Sequence, residues 1–385
     1  MKSWLTKNLI VLTIISLAQD AASELIYPLL PILIAGVVTS APLAIGIIEG
    51  AAEFIAGFTK LYAGKLSDRI GRKPFVIGGY SITGIGKVFT VISLSWLGIF
   101  TGRVLDRFGK GLRSTPRDAL INDSVSKENL GRAFGFHRAG DNLGAVIGPL
   151  MALLLLSIYN DDVRTVAKWA LLPALLSALV TLFVKEKRSN QNLRTFSKVP
   201  LTSQQKNVIL SLVLIQLTNI PDALLLLRLH EIGFSTKGVV ACYALYMFVA
   251  MTFAFPAGKI ADLLQPRTVY LIGLIFFSIS YITLGATSDH LLAIIGIAIY
   301  GLFPAMTDGV GKSWIAKLSD ENSRGYSQGV FQSGMNFAVL GAGVWGGAIW
   351  TGGKVEISLI IAGAGAIVGS LYLLLLKKNT NKLKV

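Results

Sequence analysis

The sequence predicts an all-α membrane protein of about twelve transmembrane helices, set out as two pseudo-symmetric six-helix bundles. Three observations predict it. The 385-residue chain is 53% hydrophobic and only 15% charged, with a mean hydropathy of +0.63; a soluble chain carries roughly a quarter charged residues. Apolar stretches of bilayer length, about 20 residues each, recur from end to end. The chain also repeats itself. Gly64–Asp68 (GKLSD) returns as Gly258–Asp262 (GKIAD), and Gly135, Gly140 and Asn142 return as Gly329, Gly334 and Asn336. One offset covers both sets, because 258 less 64 and 329 less 135 each give 194.

Taken in order, the expected spans are 8–35, 42–63, 74–96, 97–121, 133–158, 165–184, 207–229, 238–261, 268–287, 291–316, 326–350 and 357–376. The first bundle takes 1–185, a polar linker 186–205, and the second bundle 206–385. Span 1 is too long for a signal peptide and carries Asp20 and Glu24 instead of a cleavage site, so it is expected to be retained. Lysines and arginines fall on alternate loops, including Lys65, Arg69, Arg72 and Lys73, then Lys185, Lys187 and Arg188, then Lys377 and Lys378. That bias predicts an integral protein of the inner (cytoplasmic) membrane with both termini cytoplasmic. The formal charge of +15 has this topology as its source, so no nucleic-acid partner is expected. The single Cys242 excludes an internal disulfide.

Span 4 is the odd one. It holds Arg103, Asp106, Arg107, Lys110, Arg113, Arg117 and Asp118, and at helical spacing Arg103, Arg107, Lys110 and Arg117 share a face. Alone it would read as a basic helix for nucleic acid; its long apolar neighbours exclude that. Pro116 removes a backbone donor and is expected to kink it.

A charge at mid-bilayer costs about 3 kcal/mol and should face a cavity or a partner. Asp20 and Glu24 lie in span 1, Arg107 and Lys110 in span 4, Asp222 in span 7, and Asp308 and Lys312 in span 10. Each is open to a purely structural reading, above all a bridge from Asp20 or Glu24 to a span-4 arginine. Glu49 and Glu53 share a face of span 2 and suit proton exchange, unless Lys60, Lys87 or a span-4 arginine neutralises them. His137, with Arg138 and Asp141 in span 5, is more often a packing histidine than a coupling one. Pro221, beside Asn219 and Asp222, opens span 7 near mid-depth. No phosphate-binding loop, metal-ligand cluster or nucleophile triad is evident, so neither an enzyme, a cofactor, a metal nor ATP-driven transport is expected.

The decapeptide Gly64-Lys65-Leu66-Ser67-Asp68-Arg69-Ile70-Gly71-Arg72-Lys73 resembles the signature between helices 2 and 3 of the major facilitator superfamily. The span count, the linker and the second copy at Gly258–Asp262 extend that resemblance to the whole chain. Arg103 matches the superfamily's helix-4 arginine, and Gly144-x-x-x-Gly148-Pro149 is similar to its antiporter motif. The second copy departs from the pattern, having Gln265-Pro266-Arg267 where the basic pair would stand, and span 4 is more charged than the family requires.

The resemblance implies a monomeric secondary active transporter working by alternating access, its cavity lined by helices 1, 4, 7 and 10. Asp20, Glu24, Arg103, Arg107, Lys110, Asp222 and Asp308 are then the substrate-binding candidates. Asp20, Glu24, Glu49 and Glu53 are the proton-coupling candidates, with Glu24 or Glu49 foremost. Gly64, Asp68, Arg69, Gly71, Arg72, Gly144, Gly148 and Pro149 belong to the conformational motifs. The partners expected are a small organic solute, protons and the lipid bilayer. The antiporter motif leans toward export; the cations of span 4 lean toward an anionic metabolite or chelate, taken up by symport. A sensor or scaffold that moves nothing is the reading from another class, disfavoured because a scaffold gains nothing from charges at cavity depth.

Overall fold

A bilayer core offers no water to backbone amides, so each crossing must satisfy its own hydrogen bonds. In the computed structural model, which describes residues 5–126, 129–186, 201–319 and 324–375, every crossing is helical. The first bundle comprises α1 (Lys7–Ile26), continued through a 3-10 turn into α2 (Leu30–Ala35), then α3 (Ala41–Ile70), α4 (Arg72–Ile92), α5 (Trp96–Ser124), α6 (Leu130–Ile158), α7 (Val163–Lys168) and α8 (Leu171–Val180). The second comprises α9 (Ser203–Gln216), α10 (Asp222–Glu231), α11 (Thr236–Leu263), α12 (Pro266–Ala286), α13 (His290–Tyr300), α14 (Leu302–Lys317), α15 (Arg324–Thr351) and α16 (Val355–Leu375). Four crossings are built from two helices each, so the described residues form twelve crossings. Most of the linker expected at 186–205 lies outside the described residues.

Local chemistry sets several helix starts. Thr6, Ser95, Asp162, Ser235 and Asp289 each accept a first-turn amide, and Thr202 forms a reciprocal capping box with Gln205. Pro28 sits in the 3-10 turn that interrupts the first crossing. The seventh crossing breaks ahead of Asp222, at the expected proline, Pro221. Pro116, where a kink is expected, lies inside α5, which continues past it as a helix. Close backbone contacts hold α5 against α4 and α3 in the turn ahead of it. A Cβ at Gly109 would lie 2.5 Å from Gly79 O of α4, and one at Gly111 would lie 2.6 Å from Ala56 O of α3. Nine stretches among the described residues are long and apolar enough to cross a membrane. The α5 crossing is absent from them because its charges dilute its hydropathy.

The bundles meet unequally at their two ends. Away from the termini α3 and α15 touch backbone to backbone: a Cβ on Gly46 would stand 1.9 Å from Gly343 O, and one on Gly347 2.6 Å from Pro42 O. Leu43 N donates to Thr351 Oγ1 at 3.1 Å in the same region. One apolar core runs across both bundles there, from Leu25, Leu29 and Ile45 to Leu224, Tyr243 and Ile297. At the terminal end the core of Leu9, Leu12, Ile15, Val76, Tyr80 and Ile121 belongs to the first bundle alone. Lys110 of α5 and Asp308 and Lys312 of α14 are exposed. The space between the bundles is therefore closed at the distal end and open toward the termini.

Candidate functional site

The charged helix spends its cations inside the first bundle. Arg103 and Arg107 are four apart on α5, Glu49 and Glu53 are four apart on α3, and both helices run in the same direction, so the pairs meet as two rungs. Arg103 donates from Nε and Nη2 to Glu49 Oε1 and Oε2, both at 2.7 Å, and Arg107 Nε lies 2.9 Å from Glu53 Oε1. Asp106 accepts from Arg103 Nη1 at 3.3 Å and from Lys87 Nζ of α4 at 2.8 Å. Lys87, Arg103, Glu49 and Asp106 form a net-neutral network whose side chains are each about 3% exposed. Lys87 was absent from the sequence candidates beyond its mention as a neutraliser of Glu49 and Glu53. Arg117 pairs with Asp118 at 2.9 Å, and Arg113 lies over the Tyr80 ring at 4.2 Å. Lys110 forms no ion pair among the described residues; it stands within electrostatic reach of Glu53 and Asp20.

The remaining acids face the other bundle. Glu24 of α1 accepts a hydrogen bond from Tyr243 Oη of α11 at 2.5 Å, so the contact crosses between bundles. Asp222, at the first turn of α10, accepts from Tyr300 Oη at 2.6 Å and Tyr246 Oη at 2.9 Å. Tyr27, Tyr243, Tyr246 and Tyr300 form a chain of rings with successive centroids 5.4, 5.7 and 5.1 Å apart. A void of about 10 Å³ bordered by Asp222, Tyr243, Tyr246 and Tyr300 lies at the lower limit for one water. Asp308 is exposed in the opening, within electrostatic reach of Asp222 and Lys312. Asp20, one turn from Glu24, makes no hydrogen bond or ion pair among the described residues. Neither Asp20 nor Glu24 bridges to a span-4 arginine within ion-pair distance.

Four of the substrate candidates, Glu24, Asp222, Asp308 and Lys110, thus border the space between the bundles, whereas Arg103 and Arg107 are paired with α3. The tyrosines are the functional side chains that sequence reasoning missed. Their signal was present: Tyr243 and Tyr246, three apart, interrupt an otherwise apolar span.

Comparison with known proteins decides the family. The family model for the major facilitator superfamily matches residues 12–227 and 223–385. The chain belongs to this superfamily. An uncharacterised MFS-type transporter of Methanocaldococcus jannaschii is 31% identical over 382 residues, 96% of this chain and 95% of that one. The multidrug resistance protein MdtH of Salmonella paratyphi B is 24% identical, over 85% of this chain and 81% of its own. Among solved structures, the nucleoside transporter NupG superposes with a TM-score of 0.79 at 14% identity, covering 96% of this chain and 99% of its own. The human organic anion transporter MFSD10 does so with a TM-score of 0.68 at 15% identity, covering 95% and 98%. The protein is accordingly an integral membrane secondary transporter with the superfamily fold.

The superfamily motifs are tied into the first bundle. Gly71 takes φ +114°, a region open to glycine, and so turns α3 sharply into α4. The Glu186 carboxylate caps the new helix, accepting Arg72 N at 2.7 Å and Lys73 N at 3.0 Å. The Arg72 side chain pairs with Asp123 at the end of α5, and Arg69 is exposed. The Asp68 side chain lies outside the described residues. Gly64 admits Thr115 of α5, whose Cγ2 would be 2.9 Å from an added Cβ. Gly144 and Gly148 bring α6 against the α1 backbone, where a Cβ would stand 2.4 Å from Leu17 O and 2.7 Å from Ala21 O. Pro149 lies inside α6 directly after them. The second copy turns differently: Gln265, at the Gly71 equivalent, has φ −68°, and Pro266 opens α12. A groove of about 960 Å³ beside Lys73, Ile77, Lys185 and Glu186 contains none of the interface acids.

Proposed function

We propose that the protein is a proton-coupled exporter of a small, positively charged or weakly basic organic solute. The termini face the cytoplasm in this reading, and the structure represents the state open to that side. The observation that carries it is the pairing pattern. The Arg103 and Arg107 side chains are engaged by Glu49, Glu53 and Asp106, while Glu24 and Asp222 lie at the closed end of the inter-bundle space among Tyr27, Tyr243, Tyr246 and Tyr300. Carboxylates set among aromatic rings suit an organic cation, which gains from both charge and ring faces. The same carboxylates, emptied of solute, suit protons. Exchange of solute for proton at one site is the simplest antiport. The likeness to a multidrug resistance protein agrees with this direction.

A second reading, uptake of an organic anion, is favoured by Lys110 and Lys312, which stand exposed in the opening without ion pairs among the described residues. The test is flux in proteoliposomes carrying an imposed pH gradient, with tetraphenylphosphonium and a dicarboxylate as separate probes. Gradient-driven movement of tetraphenylphosphonium that Asp222→Asn and Glu24→Gln each abolish is expected. Gradient-driven movement of the dicarboxylate alone, dependent on Lys110, would replace this reading with the second.

A further inference from the structure

Inside the first bundle, on the terminal side of Glu24, α1, α5 and α6 enclose polar groups that the interface site does not use. Buried polar atoms are nearly always hydrogen-bonded. Here His137 Nε2, Asp141 Oδ1 and Arg113 Nε are buried without a hydrogen-bond partner, on residues that are 3%, 9% and 4% exposed. His137 Nε2 and Asp141 Oδ1 lie 3.6 Å apart, beyond hydrogen-bond range and within the reach of a bridging water. His137 Nδ1 is 3.4 Å from Thr13 Oγ1 of α1. Asp20 is within electrostatic reach of Asp141 and of Lys110, Arg113 and Arg117.

The sequence puts these groups in a line. Thr13, Ser16, Asp20 and Glu24 follow one another on α1 at steps of three, four and four, a single helix face. At 1.5 Å per residue the line runs about 16 Å. Its terminal end meets Arg117, which donates to Ser16 Oγ at 2.8 Å and pairs with Asp118, a side chain 45% exposed. Its other end is Glu24, at the second bundle's Tyr243. Gly140 allows the approach of α6 to α1, since a Cβ there would be 2.4 Å from Thr13 Cγ2.

We propose that Asp20, Asp141 and His137 form a proton-relay site within the first bundle, handing protons between the open terminal end and Glu24. Each transfer moves one proton from an imidazole N–H or a carboxylic acid to a carboxylate oxygen or imidazole nitrogen, directly or through a bridging water, and needs no other reactant. A metal ion fits less well, since no cluster of three or more His, Cys, Asp or Glu suited to one occurs among the described residues. The charged and titratable groups facing the site are known from each packed element. They are Lys110, Arg113, Arg117 and Asp118 from α5, Arg138 from α6 itself and Tyr80 from α4. From α11, Lys259 lies toward the same end over the Phe255 ring, and from α14, Asp308 is in electrostatic reach of Arg138. The α8 helix contributes Ser177, bonded to Gln19, and no charged side chain.

The relay rests on the proton-coupled reading, so the test has two arms. In the first, infrared difference spectra of the purified protein are taken across pH, following the carboxyl stretch, for wild type, Asp20→Asn, Asp141→Asn and Asp141→Glu. Loss of one titrating carboxyl band in Asp141→Asn, with a displaced titration of the Asp20 band, is expected, and Asp141→Glu should restore a band. In the second, tetraphenylphosphonium flux is measured in proteoliposomes with and without a pH gradient. His137→Gln and Asp141→Asn should lower gradient-driven accumulation at least roughly tenfold more than equal-pH exchange, the size expected for a lost proton-transfer group. Infrared titrations unchanged in Asp141→Asn, alongside intact gradient-driven transport, would overturn the relay alone. Wild-type flux indifferent to the gradient would overturn the relay and the proton-coupled reading together.

Discussion

Glu49→Gln removes one anion from the buried network of Glu49, Arg103, Asp106 and Lys87, and its cost can be worked from the geometry. The native network holds two cations and two anions, with side chains about 3% exposed. After the change one positive charge is uncompensated. Breaking a buried pair by deleting one partner costs about 3–5 kcal/mol. Arg103 keeps its 3.3 Å contact to Asp106, so the lower part of that range is expected. At about 1.4 kcal/mol per decade, 3 kcal/mol lowers the folded-to-unfolded ratio on the order of a hundredfold. Adding Lys87→Met removes one cation and rebalances Arg103 with Asp106. Neighbours in one network couple, so the double variant should be more stable than Glu49→Gln alone. The chain supplies its own probe, because Cys242 is its single cysteine and is 4% exposed. A thiol-reactive dye that fluoresces on reaching Cys242 reports thermal unfolding. An unfolding midpoint in Glu49→Gln equal to wild type, with gradient-driven flux lost, would refute the structural assignment and return Glu49 to the coupling acids.

Gly46→Val puts a side chain where an added Cβ would stand 1.9 Å from Gly343 O, so the distal end should be forced apart. A cysteine placed at Thr351 should then react faster with a membrane-impermeant maleimide, and unchanged labelling would contradict the closed contact. Tyr300→Phe keeps the ring and deletes the 2.6 Å bond to Asp222. A hydrogen bond to a charged group contributes about 1.5–3 kcal/mol, so pH-driven flux should fall roughly tenfold or more at normal membrane levels; wild-type flux would remove the tyrosine from the site. Gly71→Ala forces a Cβ onto a residue at φ +114°, and Cys242 dye kinetics should show a loss of about 1–2 kcal/mol. Gln265→Ala, at the equivalent turn with φ −68°, should be close to neutral.

The fold was legible in the sequence because hydropathy, loop charge and an internal repeat report on the same twelve crossings. Even α5, too charged for hydropathy, followed from the alternation of basic loops. Pairing was legible only in part. The spacing of four between Arg103 and Arg107, matched by Glu49 and Glu53, was visible in the sequence, yet the register that joins them depends on how α3 packs against α5. That register is set by Gly111 meeting Ala56 and Thr59. The cross-bundle site was less legible still. Tyr243 meets Glu24 across 219 positions, a contact between two repeats that no local period encodes.

The distribution of strong and weak contacts bears on how the two bundles move. Buried ion pairs stiffen the first bundle from within, but among the described residues the salt bridge that joins the bundles is Lys237–Asp161. It spans 3.3 Å at the distal rim with side chains 39% and 49% exposed, and such pairs contribute little. The rest of the distal seam is apolar packing, glycine contacts and a few hydrogen bonds, among them Tyr243 to Glu24. Rigid-body rocking of one bundle on the other, the motion such repeats permit, therefore strands no buried ion pair. It does treat the two interface acids differently. Asp222 takes both its phenols, Tyr246 and Tyr300, from its own bundle and would keep them. Glu24 takes its phenol from Tyr243 of the other bundle and would lose it as the distal end opens. Of the two, Glu24 is then the acid whose surroundings would alternate with the state of the carrier, in keeping with the proposed coupling role. That is the property a coupling site requires, since a group that sees the same environment in both states transfers no free energy between them.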